Sequence, residues 1–406
     1  MKRLVFTLIL TICAQWLYSQ SRMSSADVSF LYNPDHEFLI DHRLAQNGNK
    51  VKVYIRFILN SGVVKISDYE IQYDVRDSYI DEKHVNSTTR LDSSSLVATG
   101  FREFIYSFEF EKTADQNLII LEVNNILRGR KFLIDIPIER NRSTQNQPFL
   151  IFEAQRNVPY FSRFINLDQS VRLVNVFGNE GKYQIEGVIN NQAVAIPPFD
   201  EGRIQVPSKI EIDTLYGAVE NEVLKFSTPG YYIINEATDP SNTLGVLVTD
   251  PFFPYFGQFE RLVEPLIFIT TNDEYKTLRT ARDTRSAFEN FVTNRISNGG
   301  RIAQDFVKYY YRRLRKSAHL FTSNKEGWKT DRGMVYQIYG NPLQVFRNEE
   351  QELWVYAAPN GGRIRFNFEI VSEENNLLTY RLIRESKFKE SWVDAVTSWR
   401  SGKVIE

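Results

Sequence analysis

Thiol chemistry is almost missing from this sequence. Cys13 is the single cysteine among 406 residues, and it falls inside an N-terminal stretch that reads as a removable leader. With that leader gone, disulfides, cysteine-zinc sites and cysteine nucleophiles are all excluded, and hydrophobic cores must hold the mature fold. Histidine is nearly as scarce. His36, His42, His84 and His319 are scattered, with no pair at a metal-ligand spacing, so no metal is expected. A charge bias is lacking too: 49 Lys and Arg stand against 50 Asp and Glu, which removes the basic footprint of a nucleic-acid partner. No nucleophile elbow, Walker loop or dinucleotide fingerprint occurs, so no cofactor is expected; "PNGGR" (359–363) reads as a hairpin turn. Beyond the opening segment no apolar run is long enough to span a bilayer, which leaves the mature chain soluble or peripherally associated with a membrane.

What is present begins with "MKRLVFTLILTICAQWLYSQ" (1–20): a basic start at Lys2 and Arg3, an apolar run, then a small-residue exit near Ser19. That is the layout of a secretory signal peptide, so export to the periplasm is expected. "LTIC" (10–13) invites a lipoprotein reading with Cys13 acylated, but a lipobox wants a small residue where Ile12 stands. Removal of Cys13 with the leader is the favoured reading. Apolar residues make up 42% of the chain, with 29 Phe and 21 Tyr, enough for several cores.

The remainder has three textures. "KVKVYIRFILN" (50–60), "YEIQYDVRD" (69–77), "FREFIYSFEFE" (101–111), "NLIILEV" (117–123) and "KFLIDIPIE" (131–139) alternate with period two between polar turns. They predict a first β-sandwich, Ig-like, over residues 24–142. "RNRSTQNQP" (140–148) reads as a linker. Short strands such as "FLIFEAQ" (149–155), "KYQIEGVI" (182–189), "VLKFST" (223–228), "GYYIINEA" (230–237) and "LGVLVTD" (244–250) predict a second sandwich over residues 147–252. Residues 258–406 turn to α+β. Helices are expected at 270–281, where Asp273 and Glu274 occupy the first turn, at 284–297 and at 301–321. In the last of these Ile302, Phe306, Tyr309, Tyr310, Arg313 and Leu314 lie near one face. Strands are expected at "GMVYQIYG" (333–340), "ELWVYAA" (352–358), "RIRFNFEIV" (363–371) and "LTYRLIRES" (378–386), before a closing helix carrying Trp392, Val396 and Trp399 on one stripe.

"GWKTD" (327–331), followed by "RG" and "VYQIYGNP", resembles the pentapeptide that names the GWxTD-domain proteins, an exported bacterial family. Upstream "DEY" (273–275), "ENFVTNR" (289–295) and "YYYRR" (309–313) extend the resemblance. So do "ELWVY" (352–356), "FNFE" (366–369), "YRLIRES" and "SWVDAVTSWRSG" downstream, giving a span of about 264–402. Val292 and Ile296 depart from the family, which often has an aromatic pair at 291–292 and an acid after Arg295; helix packing is what they touch. The two β-rich segments ahead look like the arrangement in Bacteroidetes-type members. The resemblance implies no activity.

The motif residues admit three readings. As a structural corner, Gly327 leaves room for Trp328, Thr330 and Asp331 bond nearby amides, Arg332 pairs with a distant carboxylate and Gly333 provides a positive-φ exit into a strand. Gly340 and Pro342 then end that strand. As a catalytic centre, Asp331 is a general base and Arg332 an anion clamp, which needs a further acid such as Asp305, Glu326 or Glu352. As a binding groove, Trp328, Trp354, Tyr356 and Trp392 present rings to a carbohydrate or peptide. The corner is the favoured reading. "KYYYRRLRK" (308–316) mixes rings and cations as a nucleic-acid or anionic-lipid surface does, but reads as an amphipathic packed helix. Together these features predict a non-enzymatic interaction or scaffold protein of the bacterial envelope, with an outer-membrane assembly as one candidate for its unnamed partner.

Overall fold

The computed structural model describes residues 22–62, 64–81, 88–113, 115–138, 147–188, 193–202, 212–296, 300–358, 361–372 and 378–403. The expected leader with Cys13, most of the expected linker and His84 lie outside the described residues. The chain is mainly β, with several sheets and a C-terminal α+β region.

Among the described residues, eight strands form the first unit: β1 (Phe38–Asn47), β2 (Lys50–Leu59), β3 (Tyr69–Arg76), β4 (Thr89–Arg90), β5 (Leu96–Thr99), β6 (Glu103–Glu111), β7 (Leu118–Asn125) and β8 (Arg130–Pro137). They make two four-stranded sheets, ordered β1-β2-β6-β5 and β4-β3-β7-β8. Alternation does its usual work here. Val51, Val53, Ile55 and Phe57 of β2 point inward and share one core with Ile71, Leu121 and Ile134 of the other sheet. β1 escaped the sequence reading because most of its residues are only half-buried, so no clean polar-apolar alternation was written into them.

The second unit has a five-stranded sheet, β10-β16-β15-β12-β13, facing a three-stranded one, β14-β11-β9. Its strands are β9 (Phe149–Glu153), β10 (Phe164–Asn166), β11 (Val171–Asn175), β12 (Lys182–Val188), β13 (Ile212–Val219), β14 (Val223–Leu224), β15 (Gly230–Glu236) and β16 (Thr243–Thr249). β10 runs parallel to β16 while the other pairs are antiparallel.

The third unit opens with α1 (Phe259–Val263), α2 (Asn272–Thr280), α3 (Thr284–Arg295) and α4 (Arg301–Phe321). Thr271 caps α2 in a reciprocal box with Glu274, as the acidic first turn foretold. The stretch 333–340 is not the expected strand: Asp331–Tyr339 is a helix, α5. Thr330 caps its start and Gly340, at φ +83°, closes it. Met334 through Ile338 are all buried, so with core on every side no helical period shows in the sequence. Strands β17 (Gln344–Arg347), β18 (Gln351–Ala357), β19 (Arg363–Ser372) and β20 (Leu378–Leu382) pair in chain order, and α6 (Lys389–Arg400) follows. On α4 the buried face carries Ala303, Phe306, Tyr310, Arg313 and Leu314, whereas Ile302, expected inside, is exposed.

The three units share cores. Met23, Val28 and Tyr32, ahead of β1, belong to the core of the third unit. Val28 donates its amide to Val345 of β17, and Val345 donates to Asp27. Ala45, Tyr54 and Ile105 of the first unit pack with Leu150, Phe152 and Phe161 of the second. Phe164, Tyr231 and Leu247 pack with Ala318 of α4.

Candidate functional site

The corner is built around two glycines and a threonine. A Cβ on Gly327 would stand 2.1 Å from the Ser317 carbonyl oxygen of α4, and one on Gly333 would stand 1.8 Å from the Gly327 oxygen. Only glycine permits that approach. Gly333 is therefore required for contact inside a helix, not for a positive-φ exit as the sequence suggested. The Thr330 hydroxyl donates to the Gly327 carbonyl (2.7 Å) and accepts from the Gly333 amide (3.0 Å), fixing the turn and the helix start together. Gly327 in turn donates to the Thr322 hydroxyl at the end of α4.

Trp328 is fully buried, and its indole N–H donates to Glu326 at 2.6 Å. Burial would raise the Glu326 carboxyl, but Lys329 and Arg261 outweigh it and hold the pKa below the ordinary value. Asp331 faces away from Arg332. It accepts the Leu382 amide (2.8 Å) and both ends of the Arg384 guanidinium (2.6 and 3.2 Å), tying the start of α5 to β20. Arg384 also donates to the Ile196 carbonyl of the second unit, and Ala195 donates to the Lys329 carbonyl.

Arg332 does find a distant carboxylate. Its guanidinium lies over the Tyr380 ring, 3.3 Å from the centroid, and reaches Glu352 at 3.5 Å. Glu352 is fully buried and accepts from Tyr32 (2.7 Å), Arg347 (2.7 Å) and the Trp354 indole (2.6 Å). Burial pushes its carboxyl up; Arg347, Arg332 and the two neutral donors pull it down further, to about 2. Arg347 also pairs with Asp135 of β8 at 2.6 Å, and Asp135 accepts from Tyr79. A single polar network thus joins the first unit to the third.

The far end of α5 is equally tied. Arg313 donates to the Gln337 and Ile338 carbonyls, the Trp399 indole donates to Ile338, and Tyr356 donates to Gly340. A cation at a helix C-terminus suits its dipole. Pro342 is buried just beyond. Trp354, Tyr356, Trp392 and Trp399 are all buried, so none presents a ring to solvent. Of the expected catalytic companions, Asp305 lies on the open face of α4 near Arg301, and Asp331 meets neither Glu326 nor Glu352 through any hydrogen bond or ion pair among the described residues. Tyr32, Asp135, Arg347 and Arg384 had no signal in the sequence; each has a partner far along the chain, Arg347 reaching Asp135 as well as the nearby Glu352.

Open aromatics occur elsewhere. A groove of about 960 Å³ runs between the second and third units, and Phe252 and Tyr255 stand on it at 69% and 66% exposure. Arg261, Lys325, Glu326 and Lys329 bring charge to the same groove, at the edge of the corner.

A β-rich chain whose C-terminal α+β unit is organised around a buried Gly-Trp-x-Thr-Asp corner is the class these observations define. Residues 230–401 match the family model described as the GWxTD domain, which makes this part of the chain similar to GWxTD domain-containing proteins. The match starts at the first residue of β15, so it takes in two strands of the five-stranded sheet as well as the motif-bearing unit. Comparison with curated proteins gave no match. No described helix is long and apolar enough to cross a membrane.

Proposed function

We propose that this is an exported, non-enzymatic interaction or scaffold protein of the bacterial envelope, working from the periplasm with two Ig-like sandwich units ahead of its GWxTD domain. One observation carries this reading: the polar groups of the corner are consumed in structural contacts, within the third unit for Asp331 and Thr330 and out to Tyr32 for Glu352. Asp331 is spent on Leu382 and Arg384, Glu352 on Tyr32 and Arg347, and Thr330 on both neighbouring glycines. General-base chemistry would need Asp331 facing a substrate and a second acid. Three units that pack on one another offer a broad surface instead, as a scaffold requires. Affinity capture of the mature protein from envelope membranes, read by mass spectrometry, tests it. Reproducible recovery of one membrane complex is expected; recovery of no partner, together with turnover of an envelope polymer, would refute it.

A peptide- or carbohydrate-binding role is the second reading, and the groove favours it. Rings as exposed as Phe252 and Tyr255 beside a charged rim suit stacking on a sugar or an extended peptide. Phe252→Ala with Tyr255→Ala should leave the melting temperature unchanged and abolish capture of the partner. Unchanged capture would remove the groove from the binding surface.

A further inference from the structure

A second cavity, of about 360 Å³, lies where all three units meet. Arg43 of β1, Arg163 ahead of β10, Arg332 of α5 and Arg347 of β17 line it, against only Asp41 and Asp135. Pairing sorts these charges. Arg347 bridges Asp135 and Glu352, Arg332 shares Glu352, and Asp41 is held by Arg56 at 2.6 Å. Arg43 and Arg163 remain. Arg43 donates to the carbonyls of Tyr160, Phe161, Ser162 and His42, which occupy its N–H groups without neutralising its charge. Arg163 has no hydrogen bond or ion pair among the described residues.

Two unneutralised guanidiniums beside two paired ones repel one another, with solvent screening the exposed Arg163 in part. The effect registers on the groups themselves. Burial, Arg163 and Arg56 outweigh Asp41 and bring the Arg43 guanidinium down to about 10. Arg163 is lowered as well, by surrounding protein and then by Arg332, although the residue is exposed to solvent. His42 and His319 also face the cavity; burial lowers both, His42 to about 4, so they are neutral and each keeps a ring N–H to donate.

We propose that this cavity binds a small oxyanion, a carboxylate or phosphate group, with Arg163 as its principal ligand and Arg43 supplying long-range charge. The volume is at the small end for ligand sites, so a free phosphate, a phosphomonoester or a short dicarboxylate fits and a polymer does not. Planar guanidinium forks suit both oxyanions. Because the lining comes from three units, occupancy would also lock them together. The inference is independent of the envelope role proposed above.

The test is calorimetric titration and thermal melting of the purified mature protein with inorganic phosphate and, separately, succinate, each against chloride at matched ionic strength. Saturable binding and a raised melting temperature are expected with at least one; phosphate alone or succinate alone identifies which oxyanion the site prefers. Arg163→Gln should weaken that binding about tenfold or more, the scale of one lost charge-assisted contact. It should also melt no lower than the parent without ligand, because it removes a repelled charge, and Arg163→Lys should recover part of the affinity. No saturable binding of either anion, or equal binding by parent and Arg163→Gln, would overturn the proposal.

Discussion

Gly333→Ala sets two effects of opposite sign against each other. Gly333 lies in the first turn of α5, where replacing glycine by alanine ordinarily stabilises a helix by about 1 kcal/mol. Here the new methyl would stand 1.8 Å from the Gly327 oxygen and 2.8 Å from Ser317 Oγ. Side chains do not approach backbone so closely, and the corner would have to open by more than about 1 Å, since overpacked interiors yield by backbone shifts. Opening it stretches the Thr330 bonds to Gly327 and Gly333 and lifts Gly327 from α4. Overpacking costs about 1–3 kcal/mol, and each distorted buried hydrogen bond adds about 1 kcal/mol, which together exceed the propensity gain. A net destabilisation of about 3–5 kcal/mol is expected, read as a lower denaturant midpoint at unchanged slope. Gly202→Ala is the control: nothing lies within 4 Å of its Cβ, and its effect should stay within about 0.5 kcal/mol. A Gly333→Ala protein as stable as the parent would refute the close-packed corner.

Two further perturbations probe its charges. Asp331→Asn keeps an acceptor for the Leu382 amide but leaves Arg384 buried without its counter-ion, so a loss of about 3 kcal/mol is expected. Adding Arg384→Met should restore much of it, and strictly additive losses would contradict the pairing. Glu352 makes acid stability specific. Its carboxyl is depressed in the fold to about 2 from an ordinary 4.5, so its contribution, about 3 kcal/mol, is fully present above pH 4.5 and is lost as pH falls towards 2. Glu352→Gln should flatten the acid limb of the stability profile across that window; an unaltered limb would show that Arg347 and Tyr32 do not hold the charge.

The legible parts of the fold were those whose chemistry is local. β2 and β6 declare themselves by alternation, whereas β7 shows as a short apolar run because Leu118 and Ile120 meet one core and Ile119, Leu121 and Val123 another. Thr271 with Glu274 announces α2 through a cap that needs only neighbours in sequence. α5 was misread although Thr330 and Gly340 bracket it, because Met334 to Ile338 are buried on all sides and carry no period. At the corner, Thr330 and Gly327 could be assigned a turn from sequence, whereas Asp331 and Arg332 were given neighbouring roles they do not share. One turns to Arg384, the other to Glu352.

By itself the sequence determined the alternating β texture, the helical stretches and the family of the C-terminal unit, because these depend on residues within a few positions of one another. Only the tertiary structure decided which charges neutralise which. Tyr32 meets Glu352 across 320 positions, Arg347 meets Asp135 across 212, and Arg163 meets no counter-ion among the described residues. Electrostatic partnership falls off with distance in space rather than along the chain, so it exists only once the three units have packed.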